Sequence, residues 1–113
     1  MSNLSGRAFE EAQKRKLYPQ RNGALGVACI QRDLLLATKH MSQASEHLWL
    51  REKTNIDSPV NAGETNIQRL QQNKFQEELA MSFYILLRIS GSLGIDLVSL
   101  GKAEVEKQEL TII

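Results

Sequence analysis

Residues 27–48 read VACIQRDLLLATKHMSQASEHL, and the spacing of their apolar side chains decides the fold. Val27, Ile30, Leu34, Ala37, Met41, Ala44 and Leu48 follow one another at intervals of three and four. That rhythm puts all of them on one face of an α-helix. Leu35 widens the stripe, and Leu36 and Leu50 lie to its other side. With Asn22 as a candidate N-cap, the helix reaches about residue 51 and spans roughly 40 Å or more at about 1.5 Å per residue. An isolated helix of this kind needs a partner of similar length to cover its stripe.

That partner is found downstream. Phe75, Leu79, Ser82, Leu86, Ile89 and Leu93 again alternate by four and three, with Phe83 and Leu87 broadening the stripe. The spacing predicts a helix from about residue 66 to residue 90, with Gly91 as its stop. Leu93-Gly94-Ile95 reads as a tight apolar turn, and Asp96 caps a fourth helix running to about residue 109. Leu97, Leu100 and Val105 are its inward candidates, followed by an apolar C-terminus. At the other end, residues 5–17 form a peripheral helix, with Ser5 as cap and Ala8, Phe9 and Ala12 as its sparse apolar positions. It ends before Tyr18-Pro19, because the residue preceding proline avoids the helical region. Between the long helices, residues 53–65 hold Asn55, Asp57, Ser58, Pro59, Asn61 and Gly63, so a mobile central loop is expected over 54–65.

The expected architecture is all-α and a single helical domain over 1–113. Residues 1–21 supply a peripheral helix and connection, and two long antiparallel helices are flanked by short ones. One pair of long helices leaves apolar surface uncovered, so a homodimer or homotetramer is expected to complete the core.

Composition agrees with this class and excludes several others. The 113 residues hold 42% hydrophobic side chains, only two prolines and seven glycines. This favours helices over a turn-rich β-sandwich. Fourteen Lys and Arg balance 13 Asp and Glu, so no excess positive field draws in nucleic acid. Lys14, Arg15, Lys16 and Arg21 cluster around Tyr18, but basic residues are at home near a helix C-terminus. Tyr18 and Trp49 are expected to cap the ends of the core and not to stack on bases. Cys29 is the lone cysteine, which excludes an internal disulfide. With no basic-then-apolar leader and no apolar run of about 18 residues, the expected setting is the cytoplasm and no membrane.

Chemistry-bearing residues are sparse. Glu77 and Glu78 flank the stripe of the third helix, and Glu46 and Asp33 lie near that of the second. Neither long helix holds an acid pair at i and i+3; the one such pair is Glu106 with Glu109. By spacing alone these acids read as solvated helix carboxylates. His40 and His47 share a face only roughly, and Cys29 is too distant to join them around zinc. No nucleophile elbow or phosphate loop occurs.

The run FQEELAMSFYILLRISGSLGIDLVSLGKAEVEKQ, residues 75–108, resembles the closing half of the MazG-like all-α nucleoside triphosphate pyrophosphohydrolases. The matching residues are Glu77, Glu78, Leu79 and Ala80, then Leu93, Gly94, Ile95, Asp96 and Leu97. HMSQASEHLWLREK, residues 40–53, resembles that family's earlier helix. The resemblance covers residues 14–108. It implies a helical dimer or tetramer in which two acids from each long helix hold Mg²⁺ on a triphosphate, releasing pyrophosphate. The first acid pair falls on His40 and Gln43, and the second on Glu78 and Met81, so Glu78 alone survives as a metal ligand. Glu46 matches a third acid. The family's lysine and asparagine fall on Glu104 and Gln108. A thioether suits Mg²⁺ poorly.

The expectation is therefore a scaffold that has kept its fold and lost its hydrolysis. It would bind a partner or a nucleotide-like small molecule through His40, Gln43, Glu46, Glu77, Glu78 and Gln108, with no cofactor. One alternative is an active Mg²⁺-dependent pyrophosphohydrolase using Glu46, Glu77, Glu78 and His40. The other is an unrelated helical interaction module.

Overall fold

The computed structural model describes residues 3–18, 24–57 and 66–112. It holds four helices, α1 (Leu4–Lys14), α2 (Ala24–Asp57), α3 (Asn66–Ser92) and α4 (Leu97–Ile112), and no strand among the described residues. The all-α expectation is met. No single described helix is long and apolar enough to cross a membrane. The cap expected at Asn22, the connection around Arg21 and residues 58–65 of the expected loop lie outside the described residues. Residues 54–57 of that loop continue α2 as helix.

Contacts divide the chain into two compact units, one of Met1–Leu34 with Tyr84–Ile113 and one of Leu35–Phe83. In the first, α1 is held close by small side chains: Ser5, Ala8 and Ala12 are buried. Phe9 meets Tyr18 edge to face, with centroids 5.6 Å apart. Ser5 is not the cap. Asn3 caps α1 by accepting from the Gly6 N–H at 2.8 Å, and the Ser5 hydroxyl accepts from the Leu97 N–H at 3.1 Å. Ser5 thus serves a free donor at the start of another helix. A hydroxyl two residues into a helix reads like a cap in sequence, and only the neighbouring α4 end distinguishes the two roles.

Gly91 is likewise not a stop. A Cβ there would lie 2.1 Å from the Ser5 carbonyl oxygen and 2.7 Å from Phe9 Cβ, so the glycine allows α1 and α3 to touch backbone to backbone. The helix ends one residue later, at Ser92. Gly94 has φ +70, its N–H donates to the Gly91 carbonyl at 3.1 Å, and the Ile95 N–H donates to the Ser90 carbonyl at 2.8 Å. This pairing is a Schellman motif with glycine in the left-handed position. The end of α1 repeats it with Lys16 at φ 59: the Lys16 N–H reaches Gln13 and the Leu17 N–H reaches Ala12. Asp96 caps α4 as expected, accepting from the Ser99 N–H at 3.2 Å and hydroxyl at 2.7 Å. These bonds hold its carboxyl below the usual range. From residue 98 to residue 111 α4 is exposed, including Leu100 and Val105, which the sequence had placed inward.

In the second unit, α2 and α3 form an antiparallel hairpin. His47 sits opposite Gln71, His40 opposite Glu78 and Ala37 opposite Ser82. Within this unit the apolar stripe expected to face inward is buried at its small members and not at its large ones. Ala37 and Ala44 are buried, whereas Met41 is 44% and Leu48 41% exposed. Trp49, expected to cap a core end, is 60% exposed. On the α2 portion of the first unit, Val27 and Leu34 are exposed too. The seam between the helices lies one residue back from the large apolar side chains, and one residue is a rotation of about 100°.

Candidate functional site

The hairpin seam is polar. On α2 it carries His40 and His47, seven residues apart; on α3 it carries Gln71, Glu78 and Ser82. The His40 Nδ1–H donates to Glu78 Oε2 at 2.5 Å, both side chains being about four-fifths buried. The His47 Nδ1–H donates to Gln71 Oε1 at 2.8 Å. The Ser82 hydroxyl bonds back to the Glu78 carbonyl at 3.0 Å and lies 3.4 Å from that of Ala37. Each of these side chains thereby has a partner within the seam, as burial requires.

Of the residues singled out in the sequence, His40 and Glu78 are brought together. Gln43 is half-buried on α2. Glu46 and Glu77 are exposed, each one residue before a seam position, and so face outward along the hairpin's flank. Met81 is 44% exposed. Gln108 belongs to the other unit, where its amide donates to Glu104 Oε1 at 2.8 Å on the surface of α4. Cys29 is a half-buried free thiol. Among the described residues, no group of three His, Cys, Asp or Glu side chains is placed to hold a metal ion.

The first unit contains a constellation that the sequence reading passed over. Asp33, read as a solvated acid, is fully buried. Arg88 Nε donates to its Oδ2 and Nη2 to its Oδ1, both at 2.7 Å, a bidentate pair. The Tyr18 hydroxyl donates to Oδ2 at 2.5 Å, and Arg32 Nε to Oδ1 at 3.3 Å. Arg32 also caps the Leu17 carbonyl at 3.0 Å and lies over the Tyr18 ring. Burial alone pushes the Asp33 carboxyl up, but the bonds from Arg88 and Tyr18 and the charges of Arg88 and Arg32 outweigh it and hold it below the usual range. Burial, then the bond to Asp33 and its charge, push the Tyr18 phenol well above its ordinary value. Arg88 is held still more firmly protonated by the same carboxylate. Its guanidinium also lies 5.4 Å from the Tyr84 ring centroid, and the Tyr84 hydroxyl accepts from Arg15. Two signals were available in the sequence. Asp33 precedes His40 by the same seven residues that separate His40 from His47, and Arg88 interrupts the apolar run YILLRIS.

Both carboxylate oxygens of this network carry donors, and its work is to tie segments together. A groove of about 370 Å³ nearby is lined by Leu4, Arg7, Glu10, Glu11, Lys14 and Tyr84 among others, with its charges balanced. No residue of the sequence-predicted set lines it. In comparison with known proteins, no family model, no curated protein and no solved structure matches the chain.

Proposed function

We propose that this chain is a cytoplasmic, MazG-like helical protein that has lost metal-dependent nucleotide hydrolysis. It acts as a homo-oligomeric binding or interaction protein with a remnant nucleotide-like cleft. The observation that carries this reading is the His40–Glu78 pair. The resemblance assigns carboxylates to both helices at this level, and Glu78 is the one that remains. Its Oε2 is engaged by an imidazole, which brings no hard oxygen to a Mg²⁺ ion. Glu46 and Glu77 are turned to solvent and do not complete an oxygen cage. A seam of His, Gln, Glu and Ser side chains offers hydrogen-bond donors and acceptors in place of a metal-held triphosphate clamp.

Two measurements test this. Pyrophosphate release from each nucleoside triphosphate is expected to stay at background with Mg²⁺ present. Thermal shift with nucleotides is expected to give the same change with and without Mg²⁺. Release that requires Mg²⁺ and disappears in Glu78→Gln would make the chain a working pyrophosphohydrolase. No shift with any nucleotide would leave a helical interaction module without the ancestral ligand.

A further inference from the structure

The groove of the first unit lies between α1 and α3. Ser5 meets α3 at Gly91 and Arg15 reaches Tyr84, so the two helices run antiparallel. The α1 wall extends from Leu4 to Lys14, about 15 Å at about 1.5 Å per residue. Along it the charges read plus at Arg7, minus at Glu10 and Glu11, and plus at Lys14, with about one turn between changes of sign. Leu87 and Tyr84 form the α3 wall, and Leu87 with Leu4 and Ala8 gives the groove its apolar part. Arg7 and Glu11 stand at i and i+4, the spacing of a helix ion pair. Yet among the described residues Arg7, Glu11 and Lys14 make no ion pair. The Tyr84 hydroxyl accepts from Arg15, and the Arg88 guanidinium lies 5.4 Å from the ring centroid. Two cations therefore stand beside this phenol, and its own proton has no acceptor among the described residues.

We propose that this groove docks a helix of another protein, one carrying an acid, a base and an acid on successive turns of one face. A wall about three turns long, whose sign changes about once per turn, matches side chains at i, i+3 or i+4, and i+7 of a helix laid beside it. The base meets Glu10 and Glu11, and one acid meets Arg7. The other acid meets Lys14 and accepts the Tyr84 proton as well. Apolar side chains next to these three rest on Leu4, Ala8 and Leu87. A second copy of this chain does not fit. Two α1 helices laid antiparallel would set Arg7 against Lys14 and Glu11 against its own kind. No described helix of the chain carries acid, base and acid at those spacings; α4 comes nearest with Glu104 and Lys107, and residue 111 is Thr. The proposal is independent of the proposed function, whose His40–Glu78 pair belongs to the other unit.

The test is titration of the ¹⁵N-labelled full chain at low salt with an end-capped, alanine-based helical peptide. Its one face carries Glu, Lys and Glu at i, i+4 and i+7, with leucines on the adjoining stripe. Amide shifts are expected to move in α1 and around Tyr84 and Leu87, saturating below ~1 mM and weakening as salt is added. A peptide of reversed signs, with Lys, Glu and Lys, is expected not to bind. Lys14→Glu is expected to weaken binding at least about tenfold, and a peptide with Glu, Lys and Lys to restore it. Tyr84→Phe keeps the ring and removes the donor, and at least about threefold weakening is expected. Should Lys14→Glu lose its helical circular dichroism, Arg7→Gln replaces it, with about threefold weakening expected. No shift up to ~1 mM, equal binding of the sign-reversed peptide, shifts confined to other elements, or binding that the folded charge variant leaves undisturbed would each overturn the proposal.

Discussion

Replacing Asp33 by asparagine keeps the shape of the side chain and removes the charge on which three segments converge. Asp33 is fully buried, and Arg88 is 5% exposed with two of its nitrogens committed to the carboxylate. In Asp33→Asn the guanidinium stays buried and loses its counter-ion, while the new amide NH₂ turns one acceptor into a donor facing Arg88 or Tyr18. Breaking a buried pair by removing one partner costs about 3–5 kcal/mol. A domain of this size has about 5–15 kcal/mol in all, so the variant is expected to keep its fold with a much reduced margin. At about 4 °C per kcal/mol the melting temperature should fall by roughly 12–20 °C. Urea unfolding followed by circular dichroism at one fixed protein concentration measures this, with the slope m unchanged if only the native state is affected. A double-mutant cycle with Arg88→Met isolates the pair, and the double variant should recover much of the loss because neither charge is then stranded. A loss below about 1 kcal/mol in Asp33→Asn would refute the reasoning, since it would mean that water reaches the pair.

The same network sets both limits of the pH range. Asp33 titrates lower in the folded chain than in the unfolded one, so its stabilisation is complete above pH ~4 and fades as the pH falls through the folded value. Acid unfolding of Asp33→Asn should lack that dependence. Tyr18 titrates higher when folded, so its contribution holds below pH ~10 and is lost as the pH rises further. Of the two tyrosines, the one lost in Tyr18→Phe should ionise, by absorbance at 295 nm, only as the protein unfolds in base. Gly91→Ala should destabilise by about 1–3 kcal/mol or detach α1, read as lost amide protection over α1, because the clash is with backbone that cannot turn aside. Lys16→Gly, at a left-handed position, should be neutral to stabilising by up to about 1 kcal/mol in the same urea titration.

The four helices were legible because periodicity and caps are local. The turn at Leu93-Gly94-Ile95, the Asp96 cap and the small inward residues of α1 all follow from side chains within a few positions of one another. The failures share one physical cause. An apolar stripe shows which face of a helix avoids water, but not what covers that face. Val27, Leu34, Met41 and Leu48 keep the rhythm of a core, yet in one unit Asp33 is the buried residue and in the other the seam runs through His40 and His47. Polar residues at a heptad spacing were read as the solvated side because burial of polar groups depends on partners that are remote in sequence. Gln71, Glu78 and Arg88 lie 24, 38 and 55 residues from theirs. Gly91 and Ser5 mislead for the same reason: each looks like a helix terminus until its neighbour is in place, α1 against Gly91 and the start of α4 against the Ser5 hydroxyl. At the candidate site, His40 and Glu78 were both named from sequence, but their pairing required the register of the hairpin.

The knot around Asp33 also bears on how fast the chain unfolds. Its carboxylate takes one bond from 15 residues upstream and two from 55 residues downstream. A charge brought out of water before both partners arrive has nothing to offset its lost hydration. The closure of the longer loop also has to come first. The bonds to Asp33 should therefore be absent from the folding transition state and be the last to form. Weakening them should leave the folding rate nearly unchanged and appear as faster unfolding. The carboxylate then acts as a latch on an already assembled unit, and the lifetime of the folded state is set there more than by the apolar side chains around it.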